Sequence, residues 1–92
     1  MHERVISLLD IATIVKYTYH MAHRNVGNNI KKRRMALGMT QAQLAEQVGV
    51  ARVSIVSIET GRYIPTIETA LRISKALNAP LEQIFWLKED ST

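Results

Sequence analysis

The side chains best equipped for chemistry in this sequence are cationic, and they are unevenly spread. The formal net charge is +4. Residues 24–65 carry seven Lys or Arg (Arg24, Lys31, Lys32, Arg33, Arg34, Arg52 and Arg62) against Glu46 and Glu59, a local net charge of +5. Residues 1–23 are neutral overall, and residues 66–92 carry −1. Concentrated positive potential attracts a polyanion. Lys31, Lys32 and Arg33 form the densest basic run. Such runs are often no more than solvated helix faces. This one sits immediately ahead of the most tightly patterned part of the chain, which favours phosphate attraction.

Other chemistries find little support. There is no Cys, which excludes disulfides and thiolate metal sites. His20 and His23 stand three apart, as helical neighbours would, but a stable metal site needs a third and usually a fourth ligand. None is near, so they read as solvated or phosphate-facing imidazoles, and no metal or cofactor is expected. No Ser/His/Asp set, paired carboxylates or phosphate-cradling glycine loop is visible, so an enzyme is not expected. Ninety-two residues suggest one domain.

The elements that must position the cations centre on residues 40–61, TQAQLAEQVGVARVSIVSIETG. Thr40 followed by Gln43 makes a capping box. A helix then runs over residues 41–48 with Leu44 and Val48 on one face, Ala45 small enough for close approach, and Gly49 to end it. Val50 plugs the turn. A second helix spans about residues 51–60, with Ile55 and Ile58 inward, and Gly61 stops it. Seven positions within residues 41–58 thus meet the demands of two short helices crossing steeply through a glycine turn, which is the spacing of a helix-turn-helix.

Before this stretch, residues 1–24 show a helical stripe of Val5, Leu8, Ala12, Val15, Tyr19 and Ala22. Asp10 and Lys16 break it well short of the ~20 apolar residues of a membrane span. Asp10 within the apolar run and the lack of a small-residue cleavage site argue against a signal peptide. The stripe reads as a docking or dimerisation helix; a translation start nearer Met21 is the alternative. Residues 25–29, rich in Asn and Gly, read as a linker, with Asn29 as helix cap. A helix follows over about residues 30–37. Beyond Gly61, Pro65 disfavours helix at Ile64. Thr66 caps a helix over residues 67–77 with the stripe Ile67, Ala70, Leu71, Ile73 and Leu77. Asn78 closes it, and Pro80 opens a last short helix with Leu81, Ile84, Phe85 and Leu87 inward and Trp86 as packing. Residues 88–92 form a polar tail.

End to end, residues 30–85 resemble the Cro/C1-type (XRE) helix-turn-helix family. The resemblance covers 56 of the 92 residues. It rests on Met39-Thr40-Gln41, Leu44-Ala45, Gly49-Val50, Ile58-Glu59, Gly61, Pro65, Ala76-Leu77 and Ile84-Phe85. It implies an all-α fold: a five-helix lambda-repressor-like DNA-binding domain over residues 30–87, carrying the extra N-terminal helix. It implies that Arg34 pairs with Glu59 to orient the recognition helix, and that Gln41, Arg62 and Tyr63 contact phosphate; Lys31 and Arg33, from the basic run one helix earlier, are expected to contact phosphate with them. Base reading would fall to Arg52, Val53, Ser54, Val56 and Ser57. Arg52 can fork onto guanine, whereas Val53 and Val56 can touch only thymine methyls or sugar. The sequence departs from the family pattern in having Ala51 where a Ser cap is usual and an unusually apolar reading face.

The expected function is a sequence-specific DNA-binding transcriptional regulator, a repressor acting as a homodimer on double-stranded DNA, in the cytoplasm at the nucleoid and not at a membrane. The competing expectation is an antitoxin-like protein-interaction module whose residues 1–24 grip a partner protein.

Overall fold

The computed structural model describes residues 25–88. The expectations for residues 1–24, including the amphipathic helix and the His20/His23 pair, lie outside the described residues, as does the polar tail beyond Lys88. Among the described residues, five helices follow in order: α1 (Ile30–Ala36), α2 (Gln41–Val48), α3 (Arg52–Glu59), α4 (Ile67–Leu77) and α5 (Leu81–Ile84). Two short strands bracket them, β1 (Val26–Asn28) and β2 (Phe85–Leu87). They pair antiparallel, with Val26 opposite Leu87, Gly27 opposite Trp86 and Asn28 opposite Phe85.

The helix ends follow from local chemistry. Thr40 Oγ1 accepts from the Gln43 N–H at 3.0 Å, and Gln43 Oε1 accepts from the Thr40 N–H at 2.8 Å, so the capping box is complete. Thr66 caps α4 in the same manner, accepting from the Thr69 N–H. Gly49 leaves α2 with φ 85°, a left-handed conformation that a side chain would resist. The end of α3 is tied twice: the Gly61 N–H donates to the Ile58 carbonyl and the Arg62 N–H to the Ser57 carbonyl, each at 3.0 Å. These are the two bonds of a Schellman motif, which satisfy carbonyls the helix itself cannot.

All helices contribute to one core. Ile30, Leu44, Ala45, Val48, Ile55, Ile58, Ile73, Leu77 and Ile84 are buried in it, with Met39, Val50 and Phe85 packed partly against it. The buried residues of α2 and α3 are those the helical spacing selects. Their crossing sets the direction in which α3 presents its outer face.

Four features differ from the expectations. Residues 25–29 are not a linker: they contain β1, because β2 offers it an antiparallel partner from the far end of the chain. Asn29 does not cap α1 with its side chain; Asn28 Oδ1 accepts from the Ile30 N–H instead. On α4 only Ala70, Ile73 and Leu77 of the stripe are buried, while Ile67 and Leu71 face outward. The last helix stops at Ile84, so Phe85 and Leu87 lie on a strand, Leu81 and Phe85 are half-buried and Leu87 is exposed. Trp86 is rim packing. Its indole rests on Gly27, where an added Cβ would come within 2.5 Å of the ring nitrogen.

Candidate nucleic-acid interface

Among the described residues, one buried ion pair fixes the geometry of the exposed face. Arg34, alone among the residues of its basic run, is buried: α1 turns it toward the core while Lys31 and Lys32 stay exposed. Its Nε donates to Glu59 Oε2 at 2.7 Å and its Nη2 to Oε1 at 3.3 Å, a two-point contact. The side chains are only 8% and 3% exposed. Arg34 Nη1 donates to the Met39 carbonyl at 2.8 Å. Three directional bonds thus tie the end of α3 to α1 and to the turn before α2. A guanidinium supplies such a fork where an ammonium cannot.

The network continues outward to the expected contact residues. Gln41 Nε2 donates to Glu59 Oε1 at 3.2 Å, and Arg52 Nη2 donates to Gln41 Oε1 at 3.1 Å. A continuous path, Arg34–Glu59–Gln41–Arg52, therefore runs from the core to the exposed start of α3. It orients the Gln41 amide and brings Arg52 beside the N-terminus of α2. Free backbone N–H groups at a helix N-terminus favour a negatively charged oxygen there.

The other residues named from the sequence lie on α1, on α3 and in the loop after α3. Arg52 and Val53 are exposed at the start of α3, and Val53 is 67% exposed. Ser54, Val56 and Ser57 are half-buried along the same helix. Arg62 and Tyr63 are exposed in the following loop, whose backbone folds onto α3: both of their N–H groups donate to the Ser57 carbonyl. Lys31 is exposed on α1. Arg33 is turned elsewhere. It is half-buried, with Nε donating to Asn29 Oδ1 at 3.2 Å and Nη2 to Gln83 Oε1 at 3.4 Å, and so stitches α1 to α5.

Two contributors escaped the sequence. Asn28 Nδ2 donates to the Ile58 carbonyl at 2.9 Å, anchoring the end of α3 to β1. The Thr60 hydroxyl donates to the Val56 carbonyl at 3.0 Å. The run of Asn around Gly27 carried a turn signal that concealed the first, and no sequence signal marks the second. Among the described residues no group of three or more His, Cys, Asp or Glu could hold a metal ion. No helix among them is long and apolar enough to cross a membrane.

This arrangement can present one helix end, with a positioned guanidinium and flanking cations, to a polyanion. Comparison with known proteins agrees. A family model described as "Helix-turn-helix" matches residues 30–84. The chain is 41% identical over 64 residues to the uncharacterized HTH-type transcriptional regulator YgzD of Bacillus subtilis (strain 168), covering 70% of this chain and 97% of that protein. It is 48% identical over 62 residues to an uncharacterized HTH-type transcriptional regulator of Methanothermobacter thermautotrophicus, covering 66% of this chain and 90% of the relative. It is 29% identical over 59 residues to the cryptic phage CTXphi transcriptional repressor RstR of Vibrio cholerae, covering 64% of this chain and 53% of the relative. The chain belongs to the Cro/C1-type (XRE) helix-turn-helix family of DNA-binding transcriptional regulators, a family of regulators rather than enzymes.

Proposed function

We propose that this protein is a sequence-specific repressor that binds double-stranded DNA as a homodimer, with the start of α3 in the major groove. The observation that carries the reading is the path from the buried Arg34–Glu59 pair through Gln41 to Arg52, which holds the exposed end of α3 at a fixed height and angle. Arg52 forks onto guanine O6 and N7. Val53 and Val56 meet thymine methyls, and Ser54 and Ser57 supply short polar contacts. Gln41, Lys31, Arg62 and Tyr63 hold the phosphates, and Arg33 adds charge while bound to Asn29 and Gln83. A single recognition helix reads few base pairs, and two helices about one DNA turn apart give useful affinity. The repressor named among the relatives supports that direction of control. A regulator of this kind works where the DNA is, in the cytoplasm at the nucleoid.

A second reading draws on the exposed apolar Val53: an antitoxin-like module that binds protein through this face or through residues 1–24. One experiment separates the two. Fluorescence anisotropy at a fixed, physiological salt concentration compares DNA from upstream of the protein's own gene with a shuffled copy. A preference of about a thousandfold or more, the usual scale of specific binding, supports the repressor. Equal, weak binding to both refutes it and favours the protein-binding module.

A further inference from the structure

The start of α3 exposes more apolar surface than a solvated helix end needs, and it does so beside a cation. Val53 is 67% exposed, a value that only Ile67 exceeds among the large apolar side chains of the described residues. Val56 lies one turn further along the same side, half-buried. Ala51, at the N-cap, is exposed and its side chain makes no capping bond. No acidic residue stands in the first turn. This helix end therefore offers a ligand one guanidinium and a set of methyl groups.

Arg52 and Val53 divide the chemistry. Arg52 Nη2 donates to Gln41 Oε1, which engages one of the five N–H groups of a guanidinium and leaves a fork for guanine O6 and N7. Val53 has neither donor nor acceptor. A β-branched side chain in a helix keeps to one rotamer, so its methyls are fixed in direction before any DNA arrives. Consecutive Cα atoms are ~3.8 Å apart, close to the ~3.4 Å between base pairs. A guanine under Arg52 thus puts the neighbouring base pair under Val53. The apolar feature of a base pair in the major groove is the C5-methyl of thymine. Cytosine methylated at C5 carries the same group at the same ring position. The two bases differ there in an O4 acceptor against an N4 donor, and a valine senses neither.

We propose that Val53 reads a 5-methylpyrimidine beside the guanine of Arg52, and that 5-methylcytosine serves there as well as thymine does. This rests on the repressor reading and deepens it. At this position the site is defined by a methyl group and not by a base, so cytosine methylation strengthens binding.

The test uses the full chain and fluorescence anisotropy at fixed salt, with duplexes from upstream of the protein's own gene. Deoxyuridine replaces thymine one position at a time, which removes the methyl and keeps the base pair. One position per half-site is expected to lose about fourfold in affinity, the equivalent of one buried methyl group. A C·G pair placed there binds weakly, and methylating its C5 recovers about fourfold. Val53→Ala, an exposed position whose fold circular dichroism verifies, binds the thymine and deoxyuridine duplexes alike. A preference for native over shuffled DNA that survives deoxyuridine at every position overturns this proposal and leaves the repressor reading standing. So does a methyl effect undiminished in Val53→Ala, or a C5-methylation that recovers nothing. Equal binding of the native and shuffled duplexes sinks both.

Discussion

Glu59→Ala is expected to destabilise the domain by ~3–5 kcal/mol, the usual result of removing one partner from a buried ion pair. The structure supports the upper part of that range. The side chains of Arg34 and Glu59 are 8% and 3% exposed, so solvent screens the pair little. The substitution removes both acceptors of the fork at 2.7 and 3.3 Å and leaves Arg34 with the Met39 carbonyl alone. Gln41 loses its acceptor as well. Small domains have ~5–15 kcal/mol of stability in all, so Glu59→Ala brings the chain close to unfolding at room temperature. Glu59→Gln, which keeps an acceptor for the guanidinium and loses the charge, is expected to fall between it and the unaltered chain. The double variant Arg34→Met/Glu59→Leu removes both charges together and should recover most of the loss, because no uncompensated charge stays buried. Urea unfolding followed by circular dichroism measures all three. A loss below ~1 kcal/mol for Glu59→Ala, the range of exposed surface pairs, would refute the inference that this pair is desolvated and organises α3. A double variant no more stable than Glu59→Ala would refute the account of why the pair matters.

Arg52→Ala should leave the fold intact, since the side chain is exposed, and should weaken binding to the preferred site by ~1–3 kcal/mol. Equal losses on specific and shuffled DNA would reduce Arg52 to a phosphate contact. Lys31→Ala is expected to weaken binding to all DNA alike and to lower the slope of log affinity against log salt by roughly one; an unchanged slope removes Lys31 from the interface. Asn28→Ala strips the bond to the Ile58 carbonyl and the cap on Ile30, and a thermal melt should show a loss of ~1–3 kcal/mol. Gly27→Ala puts a methyl where the Trp86 indole rests. Tryptophan emission should shift to longer wavelength as the ring swings into water, and Trp86→Ala in the same chain should recover the stability lost.

The helix-turn-helix was legible because each of its signals is local. Thr40 and Gln43 meet within one turn, and Leu44, Ala45, Val48, Ile55 and Ile58 repeat at the helical period that buries them. Composition alone placed the positive charge on this part of the chain, and resemblance to a family identified Arg34 and Glu59 as partners. The residues at the two ends were harder. Val26, Gly27 and Asn28 are too few for strand alternation to show, and an Asn-rich stretch with a glycine reads equally well as a turn. Phe85 and Leu87 could be read as the continuation of α5 for the same reason. On α4 the apolar arc is wider than the core it meets, so periodicity named five stripe residues while α2 and α5 cover only three of them.

The sequence by itself determined the order of the helices, the caps of α2 and α4, the central crossing of α2 on α3 and the concentration of charge around them, since these depend on contacts within a few residues. The tertiary structure decided the rest. It paired β1 with β2 across almost the whole domain, because an extended segment is stable only when a partner satisfies its backbone groups. It turned Arg34 inward and Lys31 outward within one basic run, because only one face of α1 meets Glu59. And it linked Gln41 and Arg52 into a single path that ends at the reading surface, since hydrogen bonds between residues distant in sequence exist only once the helices that carry them have packed.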